Sequence, residues 1–208
     1  MKEVFIINFK TYKQGEKALE LAKIAQRINK EIIVGVQATD IKEISSKTKL
    51  RVYSQHVDYF DMGRNTGFIL PEAVKANGAE GTFLNHSEHK LKFNVLKKTV
   101  ERCKKIGLKT AVFATGLKEA KKIARLKPDF LIVEPPELVA GKISVSSAKP
   151  ELIEKISRKI KMKFLVGAGI HERKDVEVAM KFGASGIAVA SSITNSKNPA
   201  ESIRELIV

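Results

Sequence analysis

The chain has 208 residues, with 38 Lys and Arg against 23 Asp and Glu, a net charge of +15 at pH 7. That length holds one sizeable core and would leave two independent domains both small. No apolar run approaches a membrane span, the N-terminal apolar stretch is too short for a secretory leader, and Cys103, the one cysteine, rules out an intramolecular disulfide, so the reading is a cytoplasmic protein.

Short β-branched runs alternate with amphipathic charged segments, and the alternation occurs eight times. Strands are predicted at 4–9, 32–36, 51–55, 81–85, 110–114, 130–134, 164–167 and 186–190. They are nearly all apolar, as strands buried on both faces of a parallel sheet are. Between them, Leu21, Ile24, Ala25 and Ile28 share one face of the first helix, and Leu96, Val100 and Cys103 one face of the fourth, which makes Cys103 a buried small hydrophobe. Ile153, Ile156 and Ile160 do the same in the sixth, and Ile203, Leu206 and Ile207 in the last. Gly78, Gly107 and Gly183 follow helical runs, where C-caps are expected. The segments around 40–46 and 70–77 are short.

A strict βα repeat implies parallel strands joined by right-handed crossovers. Eight such units close into a barrel without edge strands; an open doubly wound sheet is the alternative, and the repeat count favours the barrel. The expectation is an α/β protein, one (β/α)8 barrel domain over residues 1–208, with eight parallel strands and some shortened helices. It lies near the lower size limit of about 200 residues for such barrels, so oligomerisation is expected to cover exposed apolar surface.

The charge fits a nucleic-acid binder, a field that steers a small anion, or Lys-rich solvated helix faces. Lysines recur along the predicted helices, as at Lys97, Lys98, Lys104 and Lys105, then Lys118, Lys121 and Lys122. No aromatic residues interleave with them to stack bases, which favours the solvated face, with steering second.

In a (β/α)8 barrel the active site lies at the C-terminal ends of the strands. The residues that terminate them are Asn8 and Lys10 on the first, Asn85 and His86 on the fourth, Glu134 on the sixth, Gly167-Ala168-Gly169-Ile170 on the seventh and Ala190-Ser191-Ser192 on the eighth. Backbone N–H groups of the two small-residue turns can approach an anion, and a helix follows each. The set suits a small phosphorylated carbonyl compound, with a base taking a proton from carbon and donors stabilising the oxyanion. Taken singly, Lys10 reads equally as solvated, His86 as structural, and Glu134 as pointing either way from the pleat. His56 and His171 also reach the lip and read as structural or solvent-facing, and His89 opens the fourth helix without a role. Beyond Glu134, the run Pro135-Pro136-Glu137-Leu138-Val139-Ala140-Gly141-Lys142 hinges the carboxylate to a small-residue segment able to fold over a site.

Six motifs in order carry a resemblance: Asn8-Phe9-Lys10, Tyr53-Ser54-Gln55-His56-Val57-Asp58, Gly63-Arg64-Asn65-Thr66-Gly67, Leu84-Asn85-His86-Ser87-Glu88, Glu134-Pro135-Pro136-Glu137-Leu138 and Gly167-Ala168-Gly169-Ile170. The chain resembles, nearly end to end, the triosephosphate isomerase family in its compact archaeal type. The resemblance implies an intramolecular aldose–ketose isomerase of glycolysis and gluconeogenesis, interconverting dihydroxyacetone phosphate and D-glyceraldehyde 3-phosphate through an enediolate. It implies Glu134 as the base, His86 as a neutral electrophile near a helix N-terminus, Lys10 on the enediolate and the phosphate, and Asn8 orienting the substrate oxygens. Glu88 would position Lys10 through an ion pair, or else cap the fourth helix. Ala140, Gly169, Ala190 and Ser191 would bind the substrate phosphate. The Thr66 loop would enter a neighbouring subunit's site, which implies at least a dimer and, as in compact archaeal relatives, a homotetramer. No metal, no organic cofactor, no nucleic acid and no membrane are implied.

The chain departs from the family at Ala140-Gly141-Lys142, where archaeal relatives have Gly-Thr-Gly, at Ala190-Ser191-Ser192, where a glycine-containing turn is usual, and at Ala114, where Cys is usual. Ala140 can donate its N–H to phosphate only at negative φ. The competing readings are another phosphate-binding barrel, such as a sugar-phosphate epimerase, and a non-catalytic basic nucleic-acid-binding protein with salt-dependent affinity. The first would share the glycine turns but not Asn-x-Lys together with His-Ser-Glu and Glu-Pro-Pro.

Overall fold

A computed structural model describes residues 3–138 and 144–207. The strands are β1 (Val4–Asn8), β2 (Ile33–Val36), β3 (Arg51–Ser54), β4 (Gly81–Leu84), β5 (Lys109–Ala114), β6 (Phe130–Val133), β7 (Phe164–Gly167) and β8 (Gly186–Val189). They close into a barrel in sequence order, with β8 pairing in parallel with β1, so the open-sheet alternative is excluded. Each predicted strand is found to within one residue at either end.

The helices are α1 (Gly15–Ile28), α2 (Ile41–Lys47), α3 (Pro71–Ala76), α4 (Phe93–Ile106), α5 (Leu117–Ala124), α6 (Val145–Ala148), α7 (Pro150–Lys159), α8 (Arg173–Lys181), α9 (Ser191–Thr194) and α10 (Pro199–Leu206). The segments that look short in the sequence are short: α2 and α3 have 7 and 6 residues. The four-residue turns α6 and α9 are additions that periodicity does not reveal, because one turn holds too few residues to display a 3.6 repeat. Proline opens α3, α7 and α10 at the position where its missing N–H has no partner to lose. Gly107 ends α4 at φ 71, where its N–H reaches the carbonyls of Cys103 and Lys104.

The side-chain alternation of each strand divides the core in two. Ile6, Ile33, Tyr53, Phe83, Phe113, Ile132 and Leu165 fill the barrel interior. Ile7, Val34, Val52, Val112, Leu131 and Val133 point outward against the helix faces built from residues such as Leu21, Val100, Ile153 and Ile203. The inner layer accommodates aromatics because a strand residue beside them lacks a side chain: a Cβ on Gly35 would lie 1.9 Å from the Phe83 ring. Cys103 is fully buried in the outer layer, as its helical spacing implies, and burial pushes its thiol up to about 12, which leaves it inert as a nucleophile.

Candidate active site

The two-residue alternation, continued past the strand ends, aims the site residues. Val4 and Ile6 face the interior, so Asn8 does too; Ile132 faces the interior, so Glu134 does too. Both are buried polar groups at the C-terminal mouth of the barrel. The pleat therefore settles the inward-or-outward ambiguity of Glu134.

Lys10 sits just past β1 at φ 46, a left-handed conformation that disfavours a side chain. Its backbone N–H donates to Asn8 Oδ1 (2.9 Å), and its carbonyl accepts from Gln55 Nε2 (2.8 Å). Gln55 Nε2 also lies 3.4 Å from Asn8 Oδ1 and 3.2 Å from the Gly35 carbonyl, so one amide fixes the ends of β1 and β2 together. Lys10 Nζ donates to Glu88 Oε1 at 2.6 Å. Glu88 is thus the partner of Lys10 and not a helix cap; α4 begins later, with Lys92 as its N-cap. Gln55 appears in the sequence only as part of a motif, and its role emerges from contacts 45 residues apart.

His86 follows Asn85, which adopts φ 61 and whose side chain ties its own loop to β5 and α5. Asn85 Oδ1 accepts from the Leu91 N–H, and its Nδ2 donates to the Phe113 carbonyl and Glu119 Oε1. The Glu88 N–H donates to His86 Nδ1 (3.2 Å), which makes Nδ1 the acceptor and puts the ring proton on Nε2. This tautomer is set by the turn and not by a helix N-terminus, since α4 starts seven residues further on. His89 likewise lies ahead of α4 and stacks on His56 at 4.2 Å. The Phe113 ring packs edge-on against the His86 ring at 4.7 Å and fixes its plane.

Glu134 Oε2 lies 3.2 Å from His86 Nε2. No hydrogen bond joins them, and among the described residues this buried oxygen has no hydrogen-bond partner. Room for the carboxylate comes from β7: a Cβ on Gly167 would lie 2.4 Å from Glu134 Oε1 and 2.6 Å from its Cγ. Past Gly167, Ala168 and Gly169 take φ 77 and 66, which bends the turn across the mouth.

Two cavities open there and share Asn8 and Lys10. The larger, about 400 Å³, continues past His86 and Glu88 to Gln37, Gln55, His56 and His89. The smaller, about 40 Å³, lies between Glu134 and the turns that hold Gly169, His171, Ala190 and Ser191. His56 and His171, expected to be structural or solvent-facing, both line these cavities. Thr66 lines neither; it sits on an exposed loop with Met62 and Phe68. Ala140, with Gly141 and Lys142, lies outside the described residues. The positive charge is less evenly spread than the helical lysines suggest: residues 90–127, from before α4 to past α5, hold 13 Lys and Arg against two Glu. Among the described residues no cluster of His, Cys, Asp and Glu is arranged to hold a metal, and no helix is long and apolar enough to cross a membrane.

A family model described as triosephosphate isomerase matches residues 3–114, and one described as thiazole biosynthesis protein ThiG matches residues 143–206. The chain is 40% identical over 215 residues to triosephosphate isomerase of Methanocaldococcus jannaschii, covering 98% of each. It is 40% identical over 214 residues to that of Saccharolobus solfataricus, covering 98% of this chain and 94% of the relative. The crystal structure of triosephosphate isomerase from Bartonella henselae superposes with a TM-score of 0.77 at 16% identity, over 98% of this chain and 100% of the other, which is a likeness of fold.

Proposed function

The chain belongs to the triosephosphate isomerase family, and from that premise we propose how its site interconverts dihydroxyacetone phosphate and D-glyceraldehyde 3-phosphate. Glu134 is the base, removing a proton from the carbon beside the carbonyl and returning it to the carbon that bore the carbonyl, while the proton of the neighbouring hydroxyl passes to the former carbonyl oxygen. The observation that carries this is the buried Glu134 oxygen, without a hydrogen-bond partner among the described residues, facing Nε2 of His86. A buried carboxylate oxygen without a donor is free to accept a proton. The Nε2–H donates to the substrate oxygens as negative charge develops on them. At 3.2 Å the two groups leave no space for a carbon between them, so Glu134 withdraws from His86 when substrate enters.

Lys10, held by Glu88, supplies the positive charge that stabilises the enediolate and the phosphate dianion, and Asn8 orients the substrate oxygens. The phosphate is received by backbone N–H groups at Gly169 and around Ala190 and Ser191, whose turns line the smaller cavity. Ala140 is the remaining phosphate ligand in this proposal. The whole chain acts as one barrel domain in the cytoplasm, in glycolysis and gluconeogenesis. Its loop around Thr66, apolar at Met62 (78% exposed) and Phe68 (54% exposed), docks on a second subunit, giving at least a dimer and by family likeness a tetramer.

The test is a coupled assay of triose phosphate isomerisation with wild type and Glu134→Asp. Shortening the base by one methylene displaces the carboxylate by about 1 Å, for which a loss on the order of a hundredfold is expected. An unchanged rate in the variant, or no turnover by wild type, would sink the proposal.

A further inference from the structure

We infer that Asp175 is a positioning residue for substrate phosphate, acting through the turn between β7 and α8; this rests on the phosphate-binding role proposed for that turn. Asp175 lies in the first turn of α8. It is only 5% exposed, although it is a carboxylate. Burying a carboxylate is unfavourable unless its oxygens are filled with donors. Here they are filled from two directions. Oδ2 accepts the backbone N–H groups of His171 (3.0 Å) and Glu172 (3.3 Å). Oδ1 accepts the hydroxyls of Ser144 and of Ser147 (3.2 Å). Ser144 Oγ in turn accepts the Ser147 N–H (3.0 Å) and so caps α6.

One side chain thus joins the start of α6 to the end of the β7–α8 turn. A second link runs in parallel, from the Val145 N–H to the Ala168 carbonyl (3.1 Å). Between the Ala168 carbonyl and the His171 N–H lie Gly169, at φ 66, and Ile170, while Ala168 itself takes φ 77. A side chain at positive φ, as at Ala168, is strained and persists only where its surroundings over-determine it. The Ala168 carbonyl is held at one end of this stretch and the His171 N–H at the other. Gly169, which lines the smaller cavity, is therefore placed by Asp175 together with the Val145 N–H, not by the intrinsic preference of its own segment. A local capping role for Asp175 would account for the Glu172 N–H alone; it would not account for the two serine hydroxyls from a different helix.

The experiment uses the full chain and compares wild type with Asp175→Asn, which keeps the shape but gives an amide NH2 where two donors converge. Competitive inhibition by inorganic phosphate is expected to weaken about tenfold, and kcat/KM for the phosphorylated triose to fall by at least as much. Isomerisation of unphosphorylated glyceraldehyde, followed by proton exchange in D2O, is expected to stay within about twofold of wild type, because Glu134, His86 and Lys10 are untouched. Equal loss on both substrates would mean a general structural role and overturn the inference. So would a folded variant with unchanged phosphate inhibition. Should Asp175→Asn fail to fold, Ser144→Ala removes one donor and is expected to weaken phosphate about threefold with the glyceraldehyde rate retained; no change there overturns the inference equally. Wild type without triose phosphate turnover would instead remove the isomerase reading beneath it.

Discussion

Gly167→Ala tests how closely Glu134, the proposed base, is built into its barrel. The new Cβ would lie 2.4 Å from Glu134 Oε1, 2.6 Å from Cγ and 2.9 Å from Cδ, whereas ordinary contact begins at 3.4 Å. Gly167 is not at positive φ, so alanine adds no backbone strain and the whole effect falls on Glu134. The carboxylate must move by about 1 Å, for which kcat is expected to drop about a hundredfold, or about 2.7 kcal/mol in the barrier. Overpacking a core commonly destabilises by about 1–3 kcal/mol. The neighbour here is a side chain bordering a cavity, so the lower end of that range is expected in urea unfolding. KM should change little, because the Gly169 and Ser191 turns are not displaced. Adding Glu134→Asp, which draws the carboxylate back, gives a further check. If both changes act by misplacing one carboxylate, the double variant should be about as slow as the slower single variant, far from the product of the two losses. A folded Gly167→Ala enzyme with kcat within threefold of wild type would refute the reasoning.

Gln55→Ala leaves the Lys10 and Gly35 carbonyls without their side-chain donor and frees Lys10 from its positive φ; a loss of about 1–3 kcal/mol in urea unfolding and about tenfold in kcat/KM is expected. Burial, and then the neighbouring His89, lower the pKa of His56. A histidine that binds its proton less readily when folded gives full stability above its unfolded pKa, about 6.5, and loses it as pH falls through the folded value. Urea midpoints should therefore fall from pH 8 to pH 5, and His56→Gln should flatten part of that slope. Phe68→Asp charges the exposed apolar loop and is expected to shift sedimentation toward the monomer, with turnover lost in parallel; an unchanged assembly would rule out this loop as the contact.

The eight strands are legible in the sequence because each is a short apolar run between charged segments, a pattern that tertiary contacts reinforce. Glu134, His86, Lys10 and Asn8 could be nominated because strand ends are where this fold keeps its chemistry. What the sequence does not reveal is how they are held. Gln55 reads as the polar end of the third predicted strand, yet it reaches back 45 residues to Lys10. Asp175 reads as an acidic first-turn residue of a helix, yet two of its donors come from about 30 residues earlier. Gly167 reads as a turn glycine, but the space it leaves is taken by a carboxylate on the adjacent strand. None of these has a local signature, because each is a relation between segments that only the closed barrel brings together.

The same reasoning accounts for the backbone at the mouth. Among the described residues four non-glycine positions have positive φ, and three of them, Lys10, Asn85 and Ala168, come within two residues of the ends of β1, β4 and β7. Asparagine tolerates that region, so Asn85 is locally acceptable; lysine and alanine are not favoured there. Each is nevertheless secured from outside its own segment: Lys10 by Gln55, Asn85 by the Phe113 carbonyl and Glu119, and Ala168 by the Val145 N–H. A strand that ends in a sharp left-handed turn throws its next residues across the barrel opening instead of letting them run on into a helix. That is how Lys10, His86 and Gly169, which extended continuations would carry away from the mouth, come to border the same two cavities. The strain at these positions and the convergence of the site are one feature, maintained by polar partners from other segments.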